Sequence, residues 1–307
     1  MGPELSIVSP FYNEEKGIAL FFETLIPIIE SEVSDYEIIC IDDGSIDSTY
    51  KLLKEWHARN EKIKVLKLSR NFGKEAALTA GLDYASGKAV IPLDTDLQDP
   101  PQLIPQMLKK WREGYKVVEM TRCSRDEGFL KNTTASWFYK LINACSEIPI
   151  SGNTGDFRLM DRKVVDAIKQ LPERNRFMKG ILAWPGFEKT IIYFARPERA
   201  AGIPKQNYKK LFGLAFNGLF AFSMLPIRIW ATVGFFISFI SLLYGIIIIS
   251  RTLFLGRDVP GYASIVTIVL FLGGIQLISL GVMGEYIGRI YNETKQRPIY
   301  IIEEEIK

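Results

Sequence analysis

The chain has 307 residues, 48% of them hydrophobic, and a formal net charge of +3. That is too long for one small domain and allows about two. One histidine and three scattered cysteines, Cys40, Cys123 and Cys145, exclude a disulfide framework and a Cys-x-x-Cys zinc site, leave no well-placed histidine for a Ser-His-Asp triad, and fit a reducing compartment.

No signal peptide is expected, because residues 1–4 lead straight into a strand. Residues 5–9 predict that strand, closed by Pro10-Phe11-Tyr12-Asn13-Glu14-Glu15. A helix follows, with Leu20, Phe21, Leu25, Ile28 and Ile29 near helical spacing. Residues 36–41 predict a second strand that ends in Asp42-Asp43-Gly44-Ser45. Ser48 opens the next helix, where His57 is expected at the surface. Cys40, inside the apolar strand, is expected in the core. Residues 63–68 predict a third strand, Arg70-Asn71-Phe72-Gly73-Lys74 a loop, residues 75–84 a helix and residues 89–93 a fourth strand. This alternation argues for an α/β fold with a parallel, doubly wound sheet. Ligands of such sheets bind beyond the carboxyl ends of the strands. Residues 10–15, 42–45 and 94–98 all follow strand ends and should share one edge.

The fourth strand runs into Asp94-Thr95-Asp96-Leu97-Gln98-Asp99-Pro100-Pro101. Carboxylates at the tip of a buried strand are costly unless a cation meets them. Asp94 and Asp96 flank one residue, so a turn can aim both at one point. Such ligands suit Mg²⁺ or Mn²⁺ held together with substrate phosphates. A surface turn is the plainer alternative, and Asp99 before Pro100 reads as a helix cap. No G-x-G-x-x-G follows the first strand, and Gly73-Lys74-Glu75 lacks the Ser or Thr and the second Gly of a Walker A loop. A nucleotide would then be held by acidic and aromatic groups plus a metal. Asp42 or Asp43 could accept from a base N–H or a ribose hydroxyl; the alternative is turn formation in Asp-Gly-Ser.

Residues 116–121 predict a fifth strand ending near Arg122 and Arg125, and residues 129–145 a helix. Ser151-Gly152-Asn153-Thr154-Gly155-Asp156-Phe157-Arg158 reads as a tight loop presenting Asp156 to a cleft, or as a capping turn before a helix starting near Arg162. Residues 189–194 predict a further strand. Arg174, Arg176, Lys179, Arg196, Arg199 and Lys205 gather positive charge ahead of the apolar region, suited to phosphate near a bilayer. Residues 208–223 are amphipathic and suit a helix in the membrane interface. The apolar runs at 227–249 and 262–283 are each long enough for a hydrocarbon layer of ~30 Å. Arg228 before the first, and Arg289, Lys295 and Arg297 after the second, place both flanks in the cytosol by the positive-inside rule. Gly284 and Gly288 have small-xxx-small spacing, in keeping with an expected homo-oligomer.

Ser9-Pro10-Phe11-Tyr12-Asn13-Glu14-Glu15, Asp42-Asp43-Gly44-Ser45-Ile46-Asp47 and the Asp94–Pro101 string resemble the family-2 inverting glycosyltransferases of GT-A fold. The resemblance is nearest to the polyisoprenyl-phosphate glycosyltransferases, the group that contains dolichol-phosphate mannose synthase and the bactoprenol glucosyltransferases of the GtrB type. It covers nearly the whole chain. It implies a cytosolic GT-A domain at residues 1–205, an amphipathic interface helix at 206–225, a two-helix transmembrane region at 226–290 and a cytosolic tail at 291–307, in a bacterial inner membrane. The implied partners are a UDP-sugar donor, Mg²⁺ or Mn²⁺, and an undecaprenyl-phosphate-like acceptor in the bilayer, with no nucleic acid.

By the same resemblance, Pro10, Tyr12 and Glu14 line the nucleotide, Asp42 or Asp43 meets the base or ribose, and Lys74 joins the donor site. Asp94 meets the sugar-nucleotide, and Asp96 and Gln98, with Asp94 beside them, hold the metal. Arg122, Lys131, Ser136 and Arg199 fall where the acceptor phosphate binds. The reaction implied is one in-line displacement with inversion, with Asp94, Asp96 and Asp156 in the catalytic set and Asp156 either a base or a sugar contact. Three positions depart from the pattern: Thr95 stands where relatives often have Ala, Asn132 where a second cation is expected, and Pro204 where R-x-x-G-x-S-K has Ser. Glucose is the first choice of sugar, with mannose, galactose or an aminoarabinose derivative as alternatives. A membrane-tethered nucleotide-sugar sensor is the rival from another class.

Overall fold

The structure is a computed structural model that describes residues 2–122, 154–174, 176, 178–194, 225–255 and 261–307. Strands β1 (Leu5–Phe11), β2 (Tyr36–Asp42), β3 (Ile63–Leu68) and β4 (Ala89–Pro92) are rich in aliphatic residues and largely buried. Such runs suit strands covered on both faces. Helices α1 (Ile18–Glu32), α2 (Thr49–Arg59) and α3 (Lys74–Tyr84) cross between them. β1 pairs parallel with both β2 and β4, and β2 pairs parallel with β3. Alternate residues serve opposite faces, as strand geometry requires. Ile7 joins the cluster that packs Phe21, Phe22 and Leu25 of α1, whereas Val8 joins the one that packs Ala77 and Leu78 of α3. Cys40 lies in the first of these cores, as expected. Leu20, read as part of the inner face of α1, points outward instead; Ile18 and Phe22 take the buried positions.

Past β4 the chain forms α4 (Ile104–Arg112), β5 (Val117–Arg122), β6 (Thr154–Asp161), α5 (Arg162–Lys169), α6 (Met178–Ala183) and β7 (Lys189–Phe194). Asp99 is buried, and the short turn of helix that follows has Pro100 as its N-cap residue. The segment read as a tight loop around Asp156 is strand β6, antiparallel to both β4 and β5. Its alternation is obscured because Arg158 is buried between Phe157 and Leu159 and pairs with Glu119 at 3.4 Å.

The end of the chain brings a larger departure. Residues 291–307, expected as a tail, contribute β8 (Ile302–Ile306), which pairs antiparallel with β3. Among the described residues the sheet has eight strands in the order β7-β5-β6-β4-β1-β2-β3-β8. Glu303 meets Lys67 at 2.8 Å, Glu304 meets Lys54 at 3.1 Å, and the Tyr300 hydroxyl donates to Asp83 at 2.8 Å. A five-residue segment with three glutamates reads as a charged tail until the lysines of β3 and α2 are placed opposite it.

Helices α7 (Leu225–Leu255) and α8 (Tyr262–Thr294) carry the two segments long and apolar enough to cross a membrane, Ile229–Ile248 and Phe271–Thr294. Their apolar side chains face outward, which suits a lipid environment. α8 has 33 residues, about 50 Å at 1.5 Å per residue, so it exceeds a ~30 Å hydrocarbon layer. Its far end docks on the globular domain: the Glu293 carboxylate accepts from the Arg174 N–H at 2.9 and 3.1 Å, and the Arg174 guanidinium donates to the Arg297 carbonyl at 2.8 Å. The expected interface helix lies outside the described residues apart from Leu225.

Candidate active site

The carboxyl edge of the parallel strands gathers the three motifs. Asp43 follows β2, Gly73 and Lys74 follow β3, and Asp94 and Asp96 follow β4. Asp156 arrives from the other direction. β6 runs antiparallel to β4 with Ala89 opposite Asp161 and Val90 opposite Met160. Continuing that register brings Asp156 opposite Asp94.

Lys74 joins the two. Its ammonium lies 2.8 Å from the Asp94 carboxylate and 2.8 Å from that of Asp156. The lysine is placed by its own backbone. It is the first residue of α3 and follows Gly73, whose φ of +97° strongly favours glycine. Asp43 fixes that turn, accepting from the Phe72 N–H at 2.7 Å and the Gly73 N–H at 2.9 Å. Burial works against the Lys74 ammonium, but Asp94 and Asp156 hold it above the usual lysine value. Burial also pushes Asp94 up, opposed by Lys74 and reinforced by Asp156 and Asp96. Asp156 goes the other way: burial would raise it, yet Lys74, Arg158 and Lys179 together hold it below the ordinary carboxylate range.

The Asp96 turn is strained. Leu97 sits at φ +52°, a left-handed conformation uncommon outside glycine, asparagine and aspartate. It leaves Asp96 exposed, with one carboxylate oxygen accepting from the Gln98 N–H at 3.2 Å. Gln98 points inward at 3% exposure, and its amide oxygen has no hydrogen-bond partner among the described residues. These oxygens fit a hard divalent cation. Among the described residues no three His, Cys, Asp or Glu side chains converge on one point, so such an ion would complete its shell with substrate oxygens and water.

The rim of the site is stitched by the first motif. Asn13, at φ +53°, accepts from the Ile46 N–H at 2.9 Å and donates its own N–H to Ser45 Oγ at 3.0 Å. The Glu14 N–H reaches Thr49 Oγ1 at 2.9 Å. Tyr12 is 43% exposed beside this seam, while Pro10 and Glu14 are half-buried. Asp42 is fully buried; one carboxylate oxygen accepts from the Ser45 N–H at 3.3 Å and the other has no partner among the described residues. Asp43 is 3% exposed and engaged by the 72–73 turn, so its observed role is to position Lys74. Of the residues expected at the acceptor phosphate, Arg122 ends β5 on this same edge, with its side chain outside the described residues. Lys131, Ser136 and Arg199 also lie outside them.

One acid escaped the sequence reading. Glu75, beside Lys74 in the first turn of α3, accepts weakly from the Met178 N–H at 3.4 Å. Burial pushes its carboxyl up to about 7, opposed by the Met178 N–H and reinforced by Asp156. The only local signal was an acid at a helix start, which is common. A folded-state pKa above the ordinary value of 4.5 stabilises the fold below the unfolded value, and this stabilisation is lost as pH rises through the folded value. Glu75→Gln should therefore raise the melting temperature by a degree or more at pH 8, and by about nothing at pH 4, below the unfolded value. Equal shifts at both pH values in thermal melts would refute this account.

A doubly wound α/β sheet with an acidic, lysine-bridged cluster at its carboxyl edge, joined to an apolar helix pair, defines a membrane-associated enzyme of the nucleotide-binding α/β class. The chain belongs to glycosyltransferase family 2, which it matches over residues 6–169, and residues 225–290 match the GtrB C-terminal hairpin. It is accordingly a glycosyltransferase, and its sheet is the GT-A architecture of that family. An uncharacterized glycosyltransferase of Synechocystis sp. is 55% identical over 300 residues, covering 97% of this chain and 94% of the relative. The bactoprenol glucosyl transferase of Shigella phage SfV is 49% identical over 303 residues, covering 98% and 99%. Among solved structures, glucosyl-3-phosphoglycerate synthase from Mycobacterium tuberculosis in complex with Mn²⁺, UDP-glucose and phosphoglyceric acid covers 71% of this chain and 78% of its own, with 20% identity and a TM-score of 0.46. That likeness is too distant to bear on the chemistry here.

Proposed function

We propose that this enzyme transfers glucose from UDP-glucose to undecaprenyl phosphate at the cytosolic face of a bacterial inner membrane. The observation that carries the reading is the likeness to bactoprenol glucosyl transferase, 49% identical over 303 residues, a span that takes in both the globular domain and the hairpin. The cluster of Asp94, Lys74 and Asp156 supplies what such a transfer needs: a cation for a diphosphate and carboxylates for sugar hydroxyls.

An acceptor phosphate oxygen attacks the anomeric carbon. The bond from that carbon to the UDP oxygen breaks, and inversion of an α-linked donor gives a β-linked lipid-phosphate sugar. A phosphate monoester has a second pKa near ~6 and is already largely ionised. It needs no strong base, and Asp156, held low by its cations, is a weak one. Asp156 therefore serves as an acceptor for sugar hydroxyls, with Arg158 and Lys179 as well as Lys74 favouring its charged form. Asp94, Asp96 and Gln98 would hold Mg²⁺ or Mn²⁺, which when bound neutralises charge on the departing diphosphate. Most of the rate enhancement is then positioning and preorganised electrostatics.

The hairpin keeps the site at the membrane. The pairing of β8, which follows α8, with β3 supports a hairpin that returns the end of the chain to the side of the globular domain. The cations flanking the hairpin favour the cytosolic side. Detergent-purified protein should convert labelled UDP-glucose and undecaprenyl phosphate into labelled lipid, with the product lost on adding EDTA and in Asp96→Ala. Transfer only from another UDP-sugar would correct the donor. Donor binding with no transfer from any donor would put the sensor reading in its place.

A further inference from the structure

We propose that Lys74 is a resident counter-cation, which keeps a bare divalent ion out of the site and yields the carboxylates once a nucleotide diphosphate arrives. The inference rests on the reading of Asp94 and Asp96 as the metal-binding pair. The arrangement is built rather than incidental. A lysine on a long flexible stem is held to two carboxylates, one just past β4 and one on β6, at 2.8 Å each. Its backbone is fixed by a glycine at φ +97° and by two hydrogen bonds to the nearly buried Asp43.

The two carboxylates are not equally dependent on it. Asp156 also feels Arg158 and Lys179, so it keeps positive neighbours when Lys74 turns away. Asp94 is opposed by Asp156 and Asp96, and Lys74 is the cation that offsets them. A bare divalent ion approaching Asp94 therefore meets a positive charge already in place, and binding it strands the Lys74 ammonium beside a second cation. A metal–nucleotide complex changes that balance. Its diphosphate gives the ammonium a new partner as the metal takes Asp94, so the two ligands favour each other. By linkage, each must tighten the other by the same factor.

The test is Mn²⁺ binding by electron paramagnetic resonance to detergent-purified full-length protein, with and without saturating UDP. Wild type, Lys74→Gln and Lys74→Arg are compared. In wild type, UDP should tighten Mn²⁺ by about 10-fold or more, within the range of ordinary coupling. Lys74→Gln should bind bare Mn²⁺ roughly 5-fold more tightly than wild type, and the effect of UDP should shrink. Lys74→Arg, which keeps the charge, should restore exclusion of the bare ion. Lys74→Met, with a similar stem and no charge, replaces Lys74→Gln if the latter shows no melting transition. Unchanged affinity for bare Mn²⁺ in both neutral variants, with coupling intact in wild type, overturns the role of Lys74 alone. Absence of Mn²⁺ binding to wild type even with UDP overturns the metal reading and this inference with it.

Discussion

Asp94→Ala should reduce sugar transfer by about 10³-fold or more while leaving the fold intact. The residue sits just past the buried end of β4, where its side chain is about one-third exposed. Its loss removes one partner of Lys74 and leaves the ammonium on Asp156 alone. It also removes one of the carboxylates assigned to the divalent ion. Deleting a single preorganised electrostatic group from an active site costs roughly 10²–10³ in turnover, and Asp94 serves two functions at once. The measurement is initial-rate transfer with saturating donor and acceptor, beside a thermal melt. A rate within about tenfold of wild type, in a protein that melts normally, would remove Asp94 from the machinery and move the donor site elsewhere on the edge.

Removing residues 300–307 should destabilise the protein by about 3–5 kcal/mol, taking net ladder hydrogen bonds at roughly 1 kcal/mol each. The deletion strips β8 from β3 and removes the Tyr300 bond to Asp83. It takes away Ile302 and Ile306, each packed against a different face of the core. It also bares β3 as an open edge, which invites pairing between molecules. The melting temperature should fall by roughly 10 °C, and size-exclusion chromatography should show aggregates. A matched control separates the strand from its charges. Changing Glu303 and Glu304 to Gln removes the charges that face Lys67 and Lys54 while leaving the backbone ladder in place, and such surface pairs contribute little. If the truncation melts like the control, β8 adds little to the fold.

The parallel half of the sheet was legible because its signal is local. β1 to β4 are short segments rich in aliphatic residues, and each is followed by a polar turn. Strand direction then sends every one of those ends to the same edge, so the grouping of residues 10–15, 42–45 and 94–98 followed from alternation alone. The antiparallel additions were less legible. β6 hides its alternation because its inward Arg158 is neutralised by Glu119, a residue 39 positions earlier. β8 has too few apolar residues to declare a face, and its pairing depends on lysines that lie more than 200 residues away.

Individual roles at the site divide in the same way. Asp94 and Asp96 were identifiable as a pair from their spacing and their place after a strand. That Lys74 bridges Asp94 to Asp156 required the register of β6 against β4. That Asp43 holds the lysine's turn rather than standing open to a ligand required the approach of residues 72 and 73 to the end of β2. Sequence by itself determined the fold class, the edge on which the three motifs gather and the two apolar helices, since each follows from the pattern of continuous segments. Only the tertiary structure decided which charges meet, because an ion pair forms between side chains that distant segments bring within about 4 Å, and no local pattern encodes that distance.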